Sequence, residues 1–136
     1  MNIMKEVIKK KYIDCFPFNS GYDEFQKDYF NEKLFINPPF SKMKEVSEWI
    51  IKQLEHRNRI VLLIPARTDT QYFHELIKYS PRIYFIKGRL HYNEEGSAPF
   101  PSILLLWEPR DTYMDLFDIR LNFYYGITEE KIREIL

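Results

Sequence analysis

The sequence predicts an α/β fold built around a mostly parallel β-sheet. Short apolar runs alternate along the chain with stretches of helical periodicity, which is the pattern produced by parallel strands joined by helices. Residues 59–65 (RIVLLIP) form an unbroken apolar run, typical of a central parallel strand. Residues 83–86 (IYFI) and 101–107 (PSILLLW) predict an antiparallel pair that provides an antiparallel edge strand of the sheet.

Composition excludes several classes of protein. The chain has 136 residues, so we expect a single domain over residues 1–136, with residues 111–136 as a C-terminal extension. The formal net charge is zero, which argues against a uniformly basic surface for nucleic acid. Cys15 is the single cysteine, which excludes an internal disulfide, and no Cys/His cluster has zinc-ligand spacing. No apolar run is long enough to cross a membrane and no signal peptide is recognisable, so we expect a cytoplasmic protein. We also expect no metal, because metal-ligand spacing is absent.

Short patterns define the elements of the N-terminal half. Residues 11–16 (KYIDCF) predict a short strand, residues 23–30 one or two helical turns, and residues 33–37 (KLFIN) a second strand. Apolar residues recur at helical spacing over residues 43–54, which predicts an amphipathic helix. Ser41 precedes this helix and is expected to be its N-cap.

In the C-terminal half, two segments predict helices and one segment is ambiguous. Residues 71–78 have the apolar periodicity of a second helix. The aromatic segment 111–125 fits neither helix nor strand clearly, and it offers a surface for a homo-oligomer or a larger assembly. Residues 128–136 predict a short capped helix, with Glu129 and Glu130 suitably placed in its first turn.

Asn37, Pro38, Pro39 and Phe40 form a candidate site directly after a predicted strand. In open α/β sheets, ligands bind beyond the carboxyl ends of the strands. The two prolines lack N–H groups and have fixed φ angles, so they stiffen the loop. The Asn37 side chain and a proline carbonyl then present acceptor oxygens beside the flat apolar face of Phe40. Such a site suits a planar ring that carries an exocyclic amino group.

These residues also resemble a known family. NPPF is similar to the (D/N/S)PP(Y/F/W) motif of amino-methyltransferases, which act on adenine N6 or cytosine N4. LLIPARTDTQYFHELI, FIKGRLHY and APFPSILLLW resemble successive signatures of the small phage-type, Dam-like DNA N6-adenine methyltransferases. This resemblance covers roughly residues 12–107. It implies a reduced Rossmann-like class I methyltransferase fold with helices on both faces of the sheet.

The resemblance also implies a reaction. Such enzymes methylate DNA adenine with S-adenosylmethionine after extruding the base from the duplex. Asn37 and the Pro38 carbonyl would accept the hydrogens of the adenine amine, Pro39 would stiffen the loop, and Phe40 would stack on the base. DNA would be the partner, no metal or membrane would be needed, and the gene would come from a phage, virus or mobile element.

The cofactor-binding part of the motif is less complete. In IDCFPFNSG, residues 13–21, Asp14 and Phe16 occupy the positions of the family's acidic and aromatic cofactor residues, but the paired glycines are absent. The interval from Asp14 to Asn37 is also too short for the usual additional strand. A second hypothesis therefore stays open, namely a catalytically degenerate methyltransferase fold that serves as a binding or structural module in a viral or larger assembly. Cytosine N4 and RNA adenine stay open as substrates.

Four further residues are candidates for substrate binding. Arg67 and Thr68 follow the central strand and would form a site loop beside NPPF, although a plain loop before a helix explains them equally well. Lys87 and Arg89 flank Gly88 and could contact a DNA backbone, or they could form a solvated strand end.

Overall fold

The computed structural model describes residues 2–16, 23–93, 96–97, 99–110 and 121–136. The α-helices are Asn2–Lys11 (α1), Met43–Leu54 (α2), Gln71–Ile77 (α3) and Glu129–Ile135 (α4). Two 3-10 turns are Asp23–Gln26 and Phe40–Lys42. The strands are Ile13–Asp14 (β1), Lys33–Ile36 (β2), Arg59–Pro65 (β3), Arg82–Ile86 (β4), His91–Asn93 (β5), Gly96–Ser97 (β6), Ser102–Trp107 (β7) and Asn122–Ile127 (β8).

Six strands form one mixed sheet in the order β1-β2-β3-β7-β4-β8. The pairs β1–β2, β2–β3 and β4–β8 are parallel, whereas β7 is antiparallel to both of its neighbours. Five of these six strands therefore point the same way. Strands β5 and β6 pair separately as a two-stranded sheet. The prediction of an α/β fold with a mostly parallel sheet is confirmed.

The position of the antiparallel strand corrects the sequence-based prediction. Strands β4 and β7 are antiparallel neighbours, as expected, but β7 lies in the interior between β3 and β4. The edges of the sheet are β1 and β8, so the predicted antiparallel edge strand is wrong. The physical reason is burial, because all six residues of β7 are buried and an edge strand would expose some of them. Strand β8, which the aromatic pattern left ambiguous, takes the edge position.

Helices cover both faces of the sheet. On one face, strand residues such as Leu62 and Ile64 pack with Val46 and Ile50 of α2 and with Leu76 of α3. The alternate side chains form a second core with α1 and α4; it includes Val61, Leu63, Leu104, Ile8 and Ile132. This period-two division of each strand is what a sheet buried on both faces requires. The prediction of helices on both faces is confirmed.

Helix termini agree with the sequence only in part. Helix α2 has its predicted bounds, but the prediction of Ser41 as its N-cap is wrong. Ser41 lies inside the 3-10 turn Phe40–Lys42, which leads directly into the helix. At α4, the Thr128 hydroxyl accepts a hydrogen bond from the Lys131 N–H at 3.2 Å, so this helix is capped as expected. Residues 17–22 of the expected cofactor turn and residues 111–120 of the expected extension lie outside the described residues.

Asn58 links the segment before β2 to the end of α2. The Asn58 side chain is fully buried, and its Nδ2 donates to the Tyr29 carbonyl at 2.8 Å and to the Gln53 carbonyl at 2.9 Å. Its Oδ1 accepts from the Glu32 N–H at 2.9 Å. All the strong hydrogen-bonding groups of this amide are therefore used within the protein.

Gln53 extends the same network. Its Oε1 accepts from the Tyr29 N–H at 2.8 Å and its Nε2 donates to Asp28 at 2.9 Å. The hydrogen bond from Gln53 is the largest cause of a lowered pKa of the Asp28 carboxyl. Trp49 Nε1 donates to the Lys27 carbonyl at 3.0 Å. Side chains of α2 and Asn58 thus hold residues 27–32, which carry no helix or strand of their own.

We predict that Asn58→Ala lowers the free energy of unfolding by about 3 kcal/mol, because it removes the three hydrogen bonds of a fully buried amide to Tyr29, Glu32 and Gln53. Urea denaturation followed by circular dichroism measures this change. Gln71→Ala, at an exposed position, is the control and should change stability by less than about 0.5 kcal/mol. An equal, small effect of both substitutions would contradict the structural importance of Asn58.

We also predict that Cys15 is unreactive in the folded protein. Its side chain is fully buried, and burial is the largest cause of a raised pKa of the thiol. Because only the thiolate is an effective nucleophile, an aromatic disulfide reagent at pH 8 should label Cys15 only after unfolding in urea. Rapid labelling in native buffer, at the rate of a free thiol, would show that the end of β1 opens readily.

Candidate active site at the carboxyl edge of the sheet

Most of the candidate residues meet at one edge of the sheet, which we call the carboxyl edge because the parallel strands end there. Strand β1 ends at Asp14, β2 leads into Asn37, and β3 leads into Arg67. These three strands are parallel neighbours, with Asp14 paired to Phe35 and Ile36 paired to Leu62. The fold therefore brings the ends of three sequence-distant segments together, as the sequence predicted for NPPF and the loop after β3.

Strand β2, which leads into the NPPF loop, ends before its neighbour β3 does. Strand β3 continues for three residues beyond Leu62, the last residue paired with β2. The loop therefore starts beside β3 and not beyond it. Asn37 is half-buried, Pro38 is buried, and Phe40 keeps 44% of its surface exposed. This combination gives a fixed backbone with an accessible aromatic ring.

Two acceptor oxygens of this loop are available. Within the described part of the chain, neither the Asn37 carboxamide nor the Pro38 carbonyl has a hydrogen-bond partner. The Pro39 carbonyl differs, because it accepts from the Lys42 N–H at 3.1 Å as part of the 3-10 turn. Of the two proline carbonyls, that of Pro38 is therefore the one without a donor among the described residues.

Phe100, which precedes β7, contacts the NPPF loop. Its ring lies edge-to-face against Phe40, with ring centroids 5.1 Å apart and planes at 87°. Phe100 reaches this edge because it precedes β7, which starts where the parallel strands end, and the Ala66 N–H donates to the Pro101 carbonyl at 2.9 Å. Sequence reasoning missed Phe100 as a site residue. The signal was the antiparallel direction of its strand, which places residues before that strand at the carboxyl edge.

Asp14 presents a carboxylate at the end of β1. Partial desolvation is the main cause of a raised pKa of Asp14, a hydrogen bond from the Phe16 backbone opposes it, and the charge of Glu24 adds to it. The residue is nevertheless exposed, so its carboxylate remains accessible. Glu24 is buried and bonded to Lys27 at 2.9 Å and to the Tyr29 hydroxyl at 3.3 Å. Asp14 is thus the accessible member of this acidic pair.

Phe16 lies in the hydrophobic core. Its ring is buried and packs against Phe25, with centroids 5.5 Å apart, and against Trp49, with centroids 5.6 Å apart. A cofactor with hydroxyl or ammonium groups fits the exposed carboxylate of Asp14, whereas the Phe16 ring presents little surface to a ligand. A direct cofactor contact by Phe16 stays a prediction.

The loop after β3 is exposed but ordered by local hydrogen bonds. Arg67 and Thr68 are exposed. The Thr70 hydroxyl donates to the Arg67 carbonyl at 2.8 Å, and His74 Nε2 lies 2.9 Å from the Thr68 carbonyl. Thr70 is the N-terminal boundary residue of α3, although its side chain makes no capping bond. The loop thus has a fixed backbone after β3, the neighbour of the strand that leads into NPPF, and Arg67 is exposed on it.

Lys87 and Arg89 lie farther along the same edge. Both residues are exposed, and Gly88 between them has a φ of +80°, which favours glycine. They follow β4, which is three strand positions away from β2. At about 4.8 Å per strand, this separation is about 14 Å. The distance suits contacts with a nucleic-acid backbone better than contacts with a base held by Asn37.

Two further chemical properties of the described residues bear on the site. They contain no group of three or more His, Cys, Asp or Glu side chains that could hold a metal ion. Among the described helices, none combines the length and the apolar character needed to cross a membrane.

Comparison with known proteins identifies the family. A family model described as DNA N-6-adenine-methyltransferase (Dam) matches residues 10–121, a range that includes Asp14, the NPPF loop and Arg89. A DNA N-6-adenine-methyltransferase of Escherichia phage T1 is 31% identical over 67 residues, which cover 49% of this chain and 28% of the phage protein. The match thus spans less than a third of the length of that relative. Because the family model covers most of the chain, this protein belongs to the DNA N-6-adenine-methyltransferase (Dam) family.

Proposed function

We propose that this protein is an S-adenosylmethionine-dependent DNA adenine-N6 methyltransferase that holds a flipped adenine at the NPPF loop. One observation carries the proposal. Among the residues that the structure describes, the Asn37 carboxamide and the Pro38 carbonyl are two acceptors without a partner, beside the exposed ring of Phe40. The family membership supports the same reaction.

The loop is suited to an amino group on a planar ring. The adenine N6 amine has two hydrogens, which Asn37 Oδ1 and the Pro38 carbonyl would accept. Both bonds hold the amine in place and make its nitrogen lone pair more available for attack. Flipping the base costs a few kcal/mol, and stacking on Phe40 offsets about 1–3 kcal/mol of this. Phe100 would keep the Phe40 ring in orientation.

Asp14 is the residue proposed to hold the cofactor. S-adenosylmethionine, when bound, supplies an activated methyl group. Asp14 would accept hydrogen bonds from its hydroxyl or ammonium groups, on the strand next to the one that leads into Asn37. The chain contributes mainly positioning, which alone supplies a large part of the acceleration of a bimolecular reaction.

The fold and origin proposals follow from the same comparison. We propose that the sheet is a reduced Rossmann-like class I methyltransferase fold, since ligand residues follow its parallel strands at one edge. Arg67 and Thr68 would line the substrate side, whereas Lys87 and Arg89 would contact the DNA backbone. The similarity to a phage protein supports a phage or mobile-element origin.

We predict that Asn37→Ala lowers kcat for methyl transfer at least about 100-fold, because it removes a positioned hydrogen-bonding group. Phe40→Ala should lower kcat/KM about tenfold or more through lost stacking. Transfer of labelled methyl groups from S-adenosylmethionine to adenine-containing DNA measures both effects, and cytosine-only DNA and RNA test the other substrates. Phe30→Ala, at an exposed aromatic residue before β2, is the control. Full activity of Asn37→Ala would remove this assignment of the site.

Specific observations support a second candidate, a degenerate methyltransferase fold acting as a binding or structural module. Strand β1 has two residues and forms the edge of the sheet, and Phe16 is buried in the core. Residues 15–22 contain a single glycine, Gly21, so a paired-glycine turn is absent from the sequence.

Calorimetry with S-adenosylmethionine separates the two candidates. An enzyme should bind the cofactor with a Kd of tens of micromolar or lower, and Asp14→Asn should weaken binding about tenfold through the loss of charge-assisted hydrogen bonds. Thermal unfolding of the variant without cofactor controls for folding. If no binding is detected even with DNA present, the degenerate module is the correct assignment.

A further inference from the structure

We propose that an exposed aromatic surface on β4 and β8 binds unpaired bases of a nucleic-acid strand. This aromatic patch consists of Phe85, Phe123 and Tyr125, and Lys87 lies at its border. The proposal rests on the proposed function, because a DNA substrate would bring a strand to the carboxyl edge where Lys87 lies. It assigns a second contact surface, distinct from the NPPF loop.

The patch lies on a part of the sheet that no described helix covers. Ile83 belongs to the core beneath α2 and α3, so Phe85, two residues later, points to the same face. Phe85 is 41% exposed and Phe123 is 58% exposed, although both are large apolar residues. Their ring centroids are 6.3 Å apart and their planes differ by 26°. The two rings therefore stack on each other and form one exposed aromatic cluster.

A β-bulge directs Tyr125 towards solvent. Tyr84 pairs with Tyr124, but Ile86 pairs with Ile127, so β8 has one extra residue opposite β4. Gly126 in this bulge has a φ of +67°, a conformation that favours glycine. Tyr125 is consequently 88% exposed. Bulges also disrupt edge-to-edge pairing of strands, which disfavours a second copy of the chain as the partner.

The charge around the patch favours nucleic acid. The Lys87 N–H donates to the Ile127 carbonyl at 2.8 Å, which places Lys87 beyond Phe85 on the same strand face, and Arg89 follows. Residues 82–90 and 122–128 contain no Asp or Glu. Aromatic rings beside cations are the combination that binds single strands, through base stacking and phosphate contacts. A second copy would instead bring like charges together.

The distance from the NPPF loop fits a single substrate strand. Strand β8 is four strand positions from β2, or about 19 Å at about 4.8 Å per strand. At about 3.4 Å per nucleotide, a stacked strand covers this distance in about five or six nucleotides. By the same alternation, Asn37 follows the face of Phe35, which belongs to the second core, so a strand with its adenine at Asn37 would cross the carboxyl edge to reach the patch with a neighbouring unpaired segment.

The test is binding of a fluorescent 12-nucleotide oligo-dT to the full chain by fluorescence anisotropy. Thymine lacks an amino group, so this probe does not depend on the amine acceptors of the NPPF loop. The double substitution Phe123→Ser and Tyr125→Ser should raise Kd at least about tenfold, because two stacking rings are lost. Phe30→Ser is the matched control, since Phe30 is also 58% exposed but lies before β2, and it should leave Kd unchanged. Lys87→Gln should make the plot of log association constant against log salt concentration less steep by about 0.7, because one phosphate contact is lost.

The outcomes separate this proposal from the proposed function. Loss of oligo-dT binding in the double variant, with normal binding by Asn37→Ala, supports the patch even if methyl transfer is never detected. Absence of oligo-dT binding by the wild-type chain, or equal binding by the double variant, overturns the proposal. Sedimentation velocity provides the last outcome: a wild-type dimer that the double substitution dissociates, without loss of oligo-dT binding, would make the patch an interface between copies.

Discussion

The site depends on the buried amides of Gln53 and Asn58. They hold residues 27–32, which form no helix or strand, against the end of α2. The Arg59 N–H then donates to the Glu32 carbonyl at 2.8 Å, which fixes the start of β2 against β3. A slip of one residue in this register would turn Asn37 to the opposite face of the sheet. The geometry of the NPPF loop is therefore set at the opposite end of its strand.

The two ends of the sheet have different physical roles. At the amino ends of the parallel strands, Arg59 donates to the Tyr12 hydroxyl, the Glu108 carboxylate and the Ile135 carbonyl. Desolvation lowers the pKa of Arg59, but the bonds with Tyr12 and Glu108 outweigh it, and the net pKa is raised. At this end, the hydrogen bonds of Arg59 thus join the segments that follow α1 and β7 to α4. At the carboxyl edge, Asn37 and Pro38 have acceptors without partners among the described residues, which is why we propose ligand binding at this end.

The sequence predicted local elements well and their arrangement less well. Helix α2 and strand β3 have the predicted bounds, because strong periodicity and an unbroken apolar run are local signals. The interior position of β7 depends on pairing between distant segments, which apolar character alone does not specify. Strand β8 lacked the alternation of a half-buried strand, since five of its six residues are exposed. The role of Phe100 was not predicted either, because it depends on the direction of β7 in the sheet.

The net charge explains why exposed aromatic rings matter at this site. A chain with zero formal net charge lacks the broad electrostatic attraction that supplies most non-specific binding to DNA. Affinity for a strand must then come from stacking and from a few local cations. Phe40 is exposed at the NPPF loop, and Phe123 is exposed on β8, four strand positions away from β2. Stacking also selects unpaired bases over duplex, because only an unstacked base can present its face. Under the proposed function, these rings would therefore favour the state in which an adenine amine is accessible.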